Sequence, residues 1–567
     1  MKRFLYSFVL LLVSTFSFAQ FSDFASPINN KILLNGNFGE IRGNHFHAGI
    51  DIKTNGTTGL PVCAVQNGFV SRITISSTGY GNAIYIEHPS GYTSVYGHLL
   101  RFSPEIQKWV HLQQYEQRTF EINLEPKIGQ FLVTKGDTIA YSGNSGNSGG
   151  PHLHFELRKT ETQHPINPLF LGYNVSDAIK PVVSNLYVYP LSNESNIQNV
   201  HKKQRFSLAL ANGSYHIKGN SEIIKGWGEI GFGVDALDFF DGSPNKCGVY
   251  KIELRVDDEL INTVAFYELD FNKTRQSNSQ IDYEELLKNN RKVHKTFIDP
   301  GNTLPIYINP IKRGTFSFTD GQKHFVKISL YDAQLNRSDI VFSLLSTSKT
   351  DLPEEKYTSL FRYDRNNEFK NNEVELKLPE EALFTDLKFK YKMTPGIPTT
   401  FSNIHHLHHY LIPLNKNAEI RIKPTSLPER LRDKALLATV DLATNKLVSV
   451  GGEYSMGWVK ASSKVLGNFC IVADTIAPKI NSLSIPDNKT FTDKQQIRFR
   501  ITDNLSGIKS YNGSIDDRWV LFEYDAKDNL LIYHFDEYID KGHSHVLKLV
   551  VTDNKDNARI YNATFNY

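Results

Sequence analysis

The sequence predicts a mainly β chain, in which an N-terminal β-sheet domain is followed by β-sandwich modules. Three observations predict it. Short alternating runs such as Ala83-Ile84-Tyr85-Ile86-Glu87 and Thr93-Ser94-Val95-Tyr96 recur between clusters of Gly, Asn, Asp and Pro. Helix signals are few. The C-terminal two thirds carries an internal repeat of short strands with turn signals at regular spacing, which suits an immunoglobulin-like sandwich. At 567 residues the chain is long enough for several hydrophobic cores.

Composition narrows the class. With 63 Lys and Arg against 60 Asp and Glu, and the basic residues dispersed, no nucleic-acid surface is expected. Three widely spaced cysteines, Cys63, Cys247 and Cys470, cannot make a disulfide framework or a Cys-rich metal module. They read as small buried apolar residues.

Residues 1–19 read as a secretory signal peptide. Met1-Lys2-Arg3 opens an apolar run from Phe4 to Phe18, and Ser17 and Ala19 supply the small residues before a cut at Gln20. The run is about 15 residues, short of the ~20 that span a bilayer. Removing it leaves an exported, near-neutral protein, expected in the periplasm, at the cell surface or outside the cell, with no later segment apolar enough to span a membrane. Next come residues 20–175, where the strand pattern begins. Within them Ser103-Pro104-Glu105, followed by Ile106, Trp109 and Val110, predicts a helix. Asp282 to Leu287 and Leu427 to Leu431 are two shorter candidates.

The repeat follows. Asp177-Ala178-Ile179-Lys180-Pro181 is echoed by Asp474-Thr475-Ile476-Ala477-Pro478, and Gly321, His324, Asp332 and Asn336 recur as Gly542, His545, Asp553 and Asn557. This predicts a sandwich over 176–347 with a long insertion, and a second over 474–567. Between them, 348–473 is β-rich and of no type the pattern identifies. The Asp332…Asn336 and Asp553…Asn557 pairs read as turn formers rather than calcium loops.

Chemistry concentrates in the N-terminal domain, where histidines come in groups: Asn44-His45-Phe46-His47-Ala48-Gly49-Ile50-Asp51, then Gly97-His98-Leu99, then Gly149-Gly150-Pro151-His152-Leu153-His154-Phe155-Glu156. In the last group the period of two puts His152, His154 and Glu156 on one strand face and Leu153, Phe155 and Leu157 on the other. Gly49 permits a bend that lets His47 and Asp51 converge. Imidazole and carboxylate are zinc-type ligands, and three of them with one open position make a catalytic site. Residue chemistry alone does not choose among His45, His47, His98, His152 and His154.

These three groups resemble the signatures of the lysostaphin-type, or LytM-like, zinc metallopeptidases, and Gly79-Tyr80-Gly81-Asn82 and Gly136-Asp137-x-Ile139 match the same pattern. The resemblance covers about residues 30–170. It implies a small all-β fold with a groove across a sheet, one catalytic zinc ion held by His47, Asp51 and His154, and His98 and His152 as catalytic histidines that do not bind the metal. Tyr80 and Asn82 would line the groove and bind substrate. It further implies hydrolysis of peptide bonds in peptidoglycan. The downstream modules are expected to serve as spacers, to position substrate or to dock a protein partner.

An insertion, about 101–135, departs from the family pattern and is expected to roof one end of the groove. His45 reads as a solvent-facing strand residue and Glu156 as a strand-end acid supporting the site. The run His405-His406-Leu407-His408-His409 reads as a loop.

Overall fold

The computed structural model describes residues 23–219, 223–350, 355–485, 490–492 and 495–567; the leader 1–19 lies outside them. The chain is mainly β, with sheets in every unit. Among the described residues no helix is long and apolar enough to cross a membrane.

The N-terminal sheet runs in the order Leu34–Gly36, Ile50–Lys53, His152–Lys159, Tyr92–Gly97, Ala83–Glu87, Gly68–Ile75, Ile122–Leu124, each neighbour antiparallel. A three-stranded sheet of Pro61–Cys63, Thr138–Ser142 and Leu99–Phe102 packs with it around a core that includes Val70, Ile84, Tyr96, Phe102, Leu153 and Phe155. His98 stands between the strand ending at Gly97 and the one starting at Leu99, where the chain leaves one sheet for the other, and it makes that corner with φ +57°. A left-handed conformation at a non-glycine residue is costly and is found where function fixes a side chain.

The expected helix forms over Pro104–Gln117, with Pro at its first turn, Glu105 beside it and Arg118 closing it in the left-handed region. Ile106, Val110 and Gln114, spaced by four, are its buried stripe. Trp109 packs on Phe131, ring centres 5.5 Å apart. The outer side is taken by the C-terminal module rather than by the groove. Tyr115 stacks on Tyr538 at 3.9 Å, meets Trp519 at 5.2 Å and donates its hydroxyl to Asp536. The second helix candidate forms over Tyr283–Asn289, its N-terminus capped by the Asp282 carboxylate on the Glu285 N–H. The third is a 3₁₀ turn, Glu429–Lys434.

Beyond the linker, strands from Val182–Pro190 to Arg337–Ser346 join one twelve-stranded sheet system. Its longest strand, Ile223–Leu237, pairs antiparallel with Val182–Pro190 at one end and parallel with Arg337–Ser346 at the other. Two five-stranded sheets follow between Asn367 and Ala473, and two four-stranded sheets between Lys479 and Asn566. In the last unit Ile497, Phe499 and Ile501 of one sheet share a core with Ile515, Leu547 and Leu549 of the other, which makes it a sandwich.

The repeat landmarks hold the same bonds in both copies. His324 Nδ1 lies 2.6 Å from Asp257 Oδ2, and His545 Nδ1 lies 2.7 Å from Asp516 Oδ2. Asn336 donates its side chain to Asp332 and to the Asp177 carbonyl, at 2.7 and 3.0 Å. Asn557 does the same to Asp553 and Asp474, at 2.7 and 3.1 Å. Asp332 and Asp553 thus cap turns, as their Asx pattern predicts.

The boundary near residue 175 is not a boundary in packing. Phe38, Ile41 and Phe46, from the segment that delivers the first histidine group, belong to the core of the following unit together with Phe232, Val249 and Phe266. The rings of Phe46 and Phe266 meet at 5.0 Å.

Candidate metal centre

Register assembles the site. In the antiparallel sheet Asp51 is the direct neighbour of His154 on one side, and Gly97 on the other. His47, four residues before Asp51, arrives on the segment leading into the strand. Gly49 between them is required for approach: a Cβ there would stand 2.3 Å from the Phe155 carbonyl oxygen. The bend expected at Gly49 is present, but without a positive φ, so close packing rather than conformational freedom demands glycine.

His47 Nε2, Asp51 Oδ1 and His154 Nδ1 converge, with separations of 3.1 Å (His47–Asp51), 3.0 Å (His47–His154) and 2.9 Å (His154–Asp51). All three residues are buried. Their outer atoms fix which lone pairs face inward. His47 Nδ1 donates to the Asn37 carbonyl at 2.9 Å, so its Nε2 carries a lone pair. His154 Nε2 donates to Glu156 Oε1 at 2.8 Å, so its Nδ1 does too. Arg42 Nη2 holds Asp51 Oδ2 at 2.6 Å, leaving Oδ1 for the centre. In these tautomers three acceptors point at one spot. Without an ion, burial disfavours a charged His154 imidazole, but hydrogen bonds to Asp51 and Glu156 outweigh it and raise His154 to about 9, so a metal ion would displace the proton it carries. Ligands bound tetrahedrally at about 2.0–2.1 Å would lie about 3.3 Å apart, so the donor set fits a metal ion after a small expansion.

The charges agree. Burial disfavours the ionised form of Asp51, but charge and hydrogen bonds from His47, His152 and His154 outweigh it and hold the carboxyl well below its usual range. Burial also opposes ionisation of Glu156, yet Arg158, His154 and Tyr80 bring it down to about 2. Arg158 Nε reaches Glu156 Oε2 at 2.7 Å, and its guanidinium lies over the Phe271 ring at 4.5 Å. The Glu156–Arg158 end of that strand's polar face is thus a closed network with Phe271 of the next unit over Arg158, while its His152 end borders a depression.

His98 and His152 stand beside the centre, ring centres 4.8 Å apart. Each donates Nδ1–H to a loop carbonyl, His98 to Ser145 at 2.8 Å and His152 to Gly150 at 2.9 Å. Each therefore presents an Nε2 lone pair inward. The His152 Nε2 is buried without a hydrogen-bond partner and lies 3.4 Å from Asp51 Oδ1. Burial, followed by the neighbouring His154 and His152, lowers His98 to about 3, so it is neutral.

The Tyr80 ring lies tilted against His154, centres 5.1 Å apart, and its hydroxyl donates to Glu156 at 2.5 Å. Asn82 gives its amide hydrogens to the carbonyls of Leu99 and Leu100 at 3.2 and 3.4 Å, tying the corner after His98. His45 is exposed, as expected. The run at 405–409 is not a loop throughout: His405 and His406 lie on the strand Ile404–Leu407, and His405 Nδ1 is 3.0 Å from the Tyr391 hydroxyl.

A depression opens beside Asp51 and His152, bordered by Arg42, Asn55, Gly149, Pro151 and, from the next unit, Asn245. On the Gly/Ser loop Lys527 of the C-terminal module donates to the Asn144 carbonyl.

Sequence reasoning missed Asn37, Arg42 and Arg158, and Glu156 supports the site through His154 as expected. Glu156 and Arg158 carried a signal, since they share the strand face of His154. Asn37 carried none. It acts through its carbonyl, and its side chain is clamped by the backbone of Gly248, donating at 2.7 Å and accepting at 2.8 Å.

Comparison with known proteins agrees with this geometry. The profile of Peptidase family M23 matches residues 45–117 and 121–168, and that of the Zu5-like domain matches residues 358–474. The chain is 32% identical over 123 residues to the DD-carboxypeptidase/endopeptidase Mpg of Neisseria meningitidis serogroup B, covering 22% of each. It is 32% identical over 123 residues to an uncharacterized metalloprotease of Haemophilus influenzae, covering 22% of this chain and 20% of that one. The chain thus spans about a fifth of the length of the curated relatives it matches. A zinc containing peptidase from Vibrio cholerae is 28% identical, covering 25% of this chain and 37% of that one with a TM-score of 0.19. Residues 45–168 are a LytM-like peptidase domain of family M23.

Proposed function

We propose that this chain is an exported zinc metallo-endopeptidase that hydrolyses peptide bonds in peptidoglycan. The observation that carries the reading is the convergence of His47 Nε2, Asp51 Oδ1 and His154 Nδ1, three ligand atoms within 3.1 Å of one another. Zinc is the ion that two imidazoles, a carboxylate and an open position suit, and when bound it lowers the pKa of a coordinated water to about 7 and polarises a carbonyl. The Neisseria relative is named a DD-carboxypeptidase/endopeptidase, which supports a cell-wall peptide as substrate.

The residues around the ion have definable work. His98 and His152, each with Nε2 turned inward, accept a proton from the attacking water. Once protonated, they donate to the carbonyl oxygen as it gains charge and to the departing amine. Each such role is worth about 10²-fold or more. Arg42 holds Asp51 to one free oxygen, and Tyr80 and Asn82 border the substrate. The sandwich at 474–567 is read as immunoglobulin-like, and the modules after residue 175 as supports that position substrate or dock a protein partner.

The test is metal analysis combined with mass spectrometry of fragments released from purified crosslinked muropeptides. One equivalent of zinc and new peptide termini are expected, and both are lost in His154→Ala. Zinc without turnover would instead mark a silent cell-wall-binding regulator, and cleavage of Gly-rich proteins in place of muropeptides would mark a secreted protease.

A further inference from the structure

The linker that leaves the peptidase domain ends in an arrangement that the N-terminal chemistry does not use. Asp177, from the stretch before the first repeat strand, meets Asp238, just past the end of Ile223–Leu237, and Asp332, from the turn between Lys323–Tyr331 and Arg337–Ser346. One carboxylate oxygen of each lies within 4.8 Å of the other two. Asp238 and Asp332 are fully buried.

A group of acids is common and by itself means little. What singles this one out is Asp238. Its side chain is completely enclosed, and neither carboxylate oxygen has a hydrogen-bond partner. Asp177 Oδ2 is likewise buried and unpartnered. Among the described residues no Lys, Arg or His forms an ion pair with any of the three. A buried, unpartnered carboxyl group ionises only where a positive charge is supplied. The effect is visible in their acidity: burial, with the other two acids adding to it, pushes Asp238 up to about 8. Burial, then Asp332 and Asp241, pushes Asp177 up to about 7.

We propose that Asp177, Asp238 and Asp332 bind a hard divalent cation, calcium, which fastens the linker to the module that follows the peptidase domain. All the donors are oxygens, the preference of calcium rather than zinc. The ligands come from three separate segments, so one ion ties the linker to a strand end and a hairpin turn. Asp332 is anchored in its turn, its two oxygens taking Asn336 donors at 2.8 and 2.7 Å.

The position gives the ion a further consequence. Asp238 exchanges backbone hydrogen bonds with Cys247, at 3.0 and 2.9 Å. The next residue, Gly248, is the clamp on Asn37, whose carbonyl orients His47. The acid cluster thus sits one backbone pairing away from the support of the metal centre.

The repeat supplies a comparison. Asp474, Asp503 and Asp553 form the corresponding group at the next joint. There Asp474 takes the Ser506 N–H at 2.9 Å, and Asp503 Oδ2 takes the N–H groups of Leu505 and Gly507 at 3.0 and 2.8 Å while its Oδ1 is unpartnered, so backbone donors do at Asp503 part of what an ion does at Asp238.

The experiment is calcium titration by calorimetry on the full-length, chelator-treated and desalted protein, with melting followed in parallel. Wild-type protein should bind calcium and melt several degrees higher with it. Asp238→Asn should lose one calcium equivalent, yet melt no lower than wild type when both are calcium-free, because Asn replaces an acid that burial keeps neutral when no ion is bound. Asp177→Asn, at a half-exposed position outside the sheets, should weaken binding at least tenfold and covers the case in which Asp238→Asn does not fold. His154→Ala should keep the full calcium stoichiometry, which separates this site from the peptidase reading. Failure of wild-type protein to bind calcium at millimolar concentration, or an unchanged stoichiometry in both Asp variants, would overturn the proposal.

Discussion

The centre at His47, Asp51 and His154 and the acid cluster at Asp177, Asp238 and Asp332 solve the burial of charge in opposite ways. In the first, strand register sets Asp51 beside His154, and every ligand has a second partner behind it: the Asn37 carbonyl, Arg42 and Glu156. In the second, the acids arrive from a linker, a strand end and a turn, and Asp238 has no partner. Such supporting hydrogen bonds orient ligands before the metal arrives. The histidine centre therefore keeps its shape without an ion, whereas the joint depends on one.

Breaking the first of these should have the larger effect. His154→Ala removes a ligand from a preformed set, and loss of both stoichiometric zinc and muropeptide cleavage is expected while the circular dichroism spectrum is retained; a full zinc equivalent in this variant would discard the ligand assignment. His98→Ala should leave zinc in place and lower turnover by about 10²-fold or more, read by comparing metal content with initial rates. Next in size are the supports. Asn37→Ala and Glu156→Gln should each weaken zinc affinity by about 10–100-fold, measured by competition with a chromophoric chelator. If Asn37→Ala binds zinc as tightly as wild type, the following unit contributes nothing to the centre. The smallest effect belongs to the far module: Tyr115→Ala, which removes the stacking on Tyr538, should cost about 1 kcal/mol in denaturant unfolding and leave zinc affinity unchanged.

Much of this centre was legible because its logic is local. The period of two in His152-Leu153-His154-Phe155-Glu156 assigns faces before any sheet is known, and the resemblance supplied the partners of that strand. The helix at Pro104 was legible for the same reason, its Pro, acid and apolar stripe lying within one stretch. Asn37 was illegible because its function resides in a backbone carbonyl and in a partner 211 residues away. The covering over Arg158 was missed because it depends on Phe271 and the segment around it, from another unit. The aspartates were legible one pair at a time, as turn formers; only folding added Asp238, which stands outside both repeat signatures.

The clamp between Asn37 and Gly248 also sets an order of events. A chain that emerges N-terminus first carries all five histidine and aspartate groups of the centre long before Gly248 follows, yet the segment holding His47 still lacks the surface on which Phe38, Ile41 and Phe46 settle. The support of His47 is complete only once the adjoining unit is in place, and a product broken off before Gly248 would bear the histidine signatures without the clamp that steadies them.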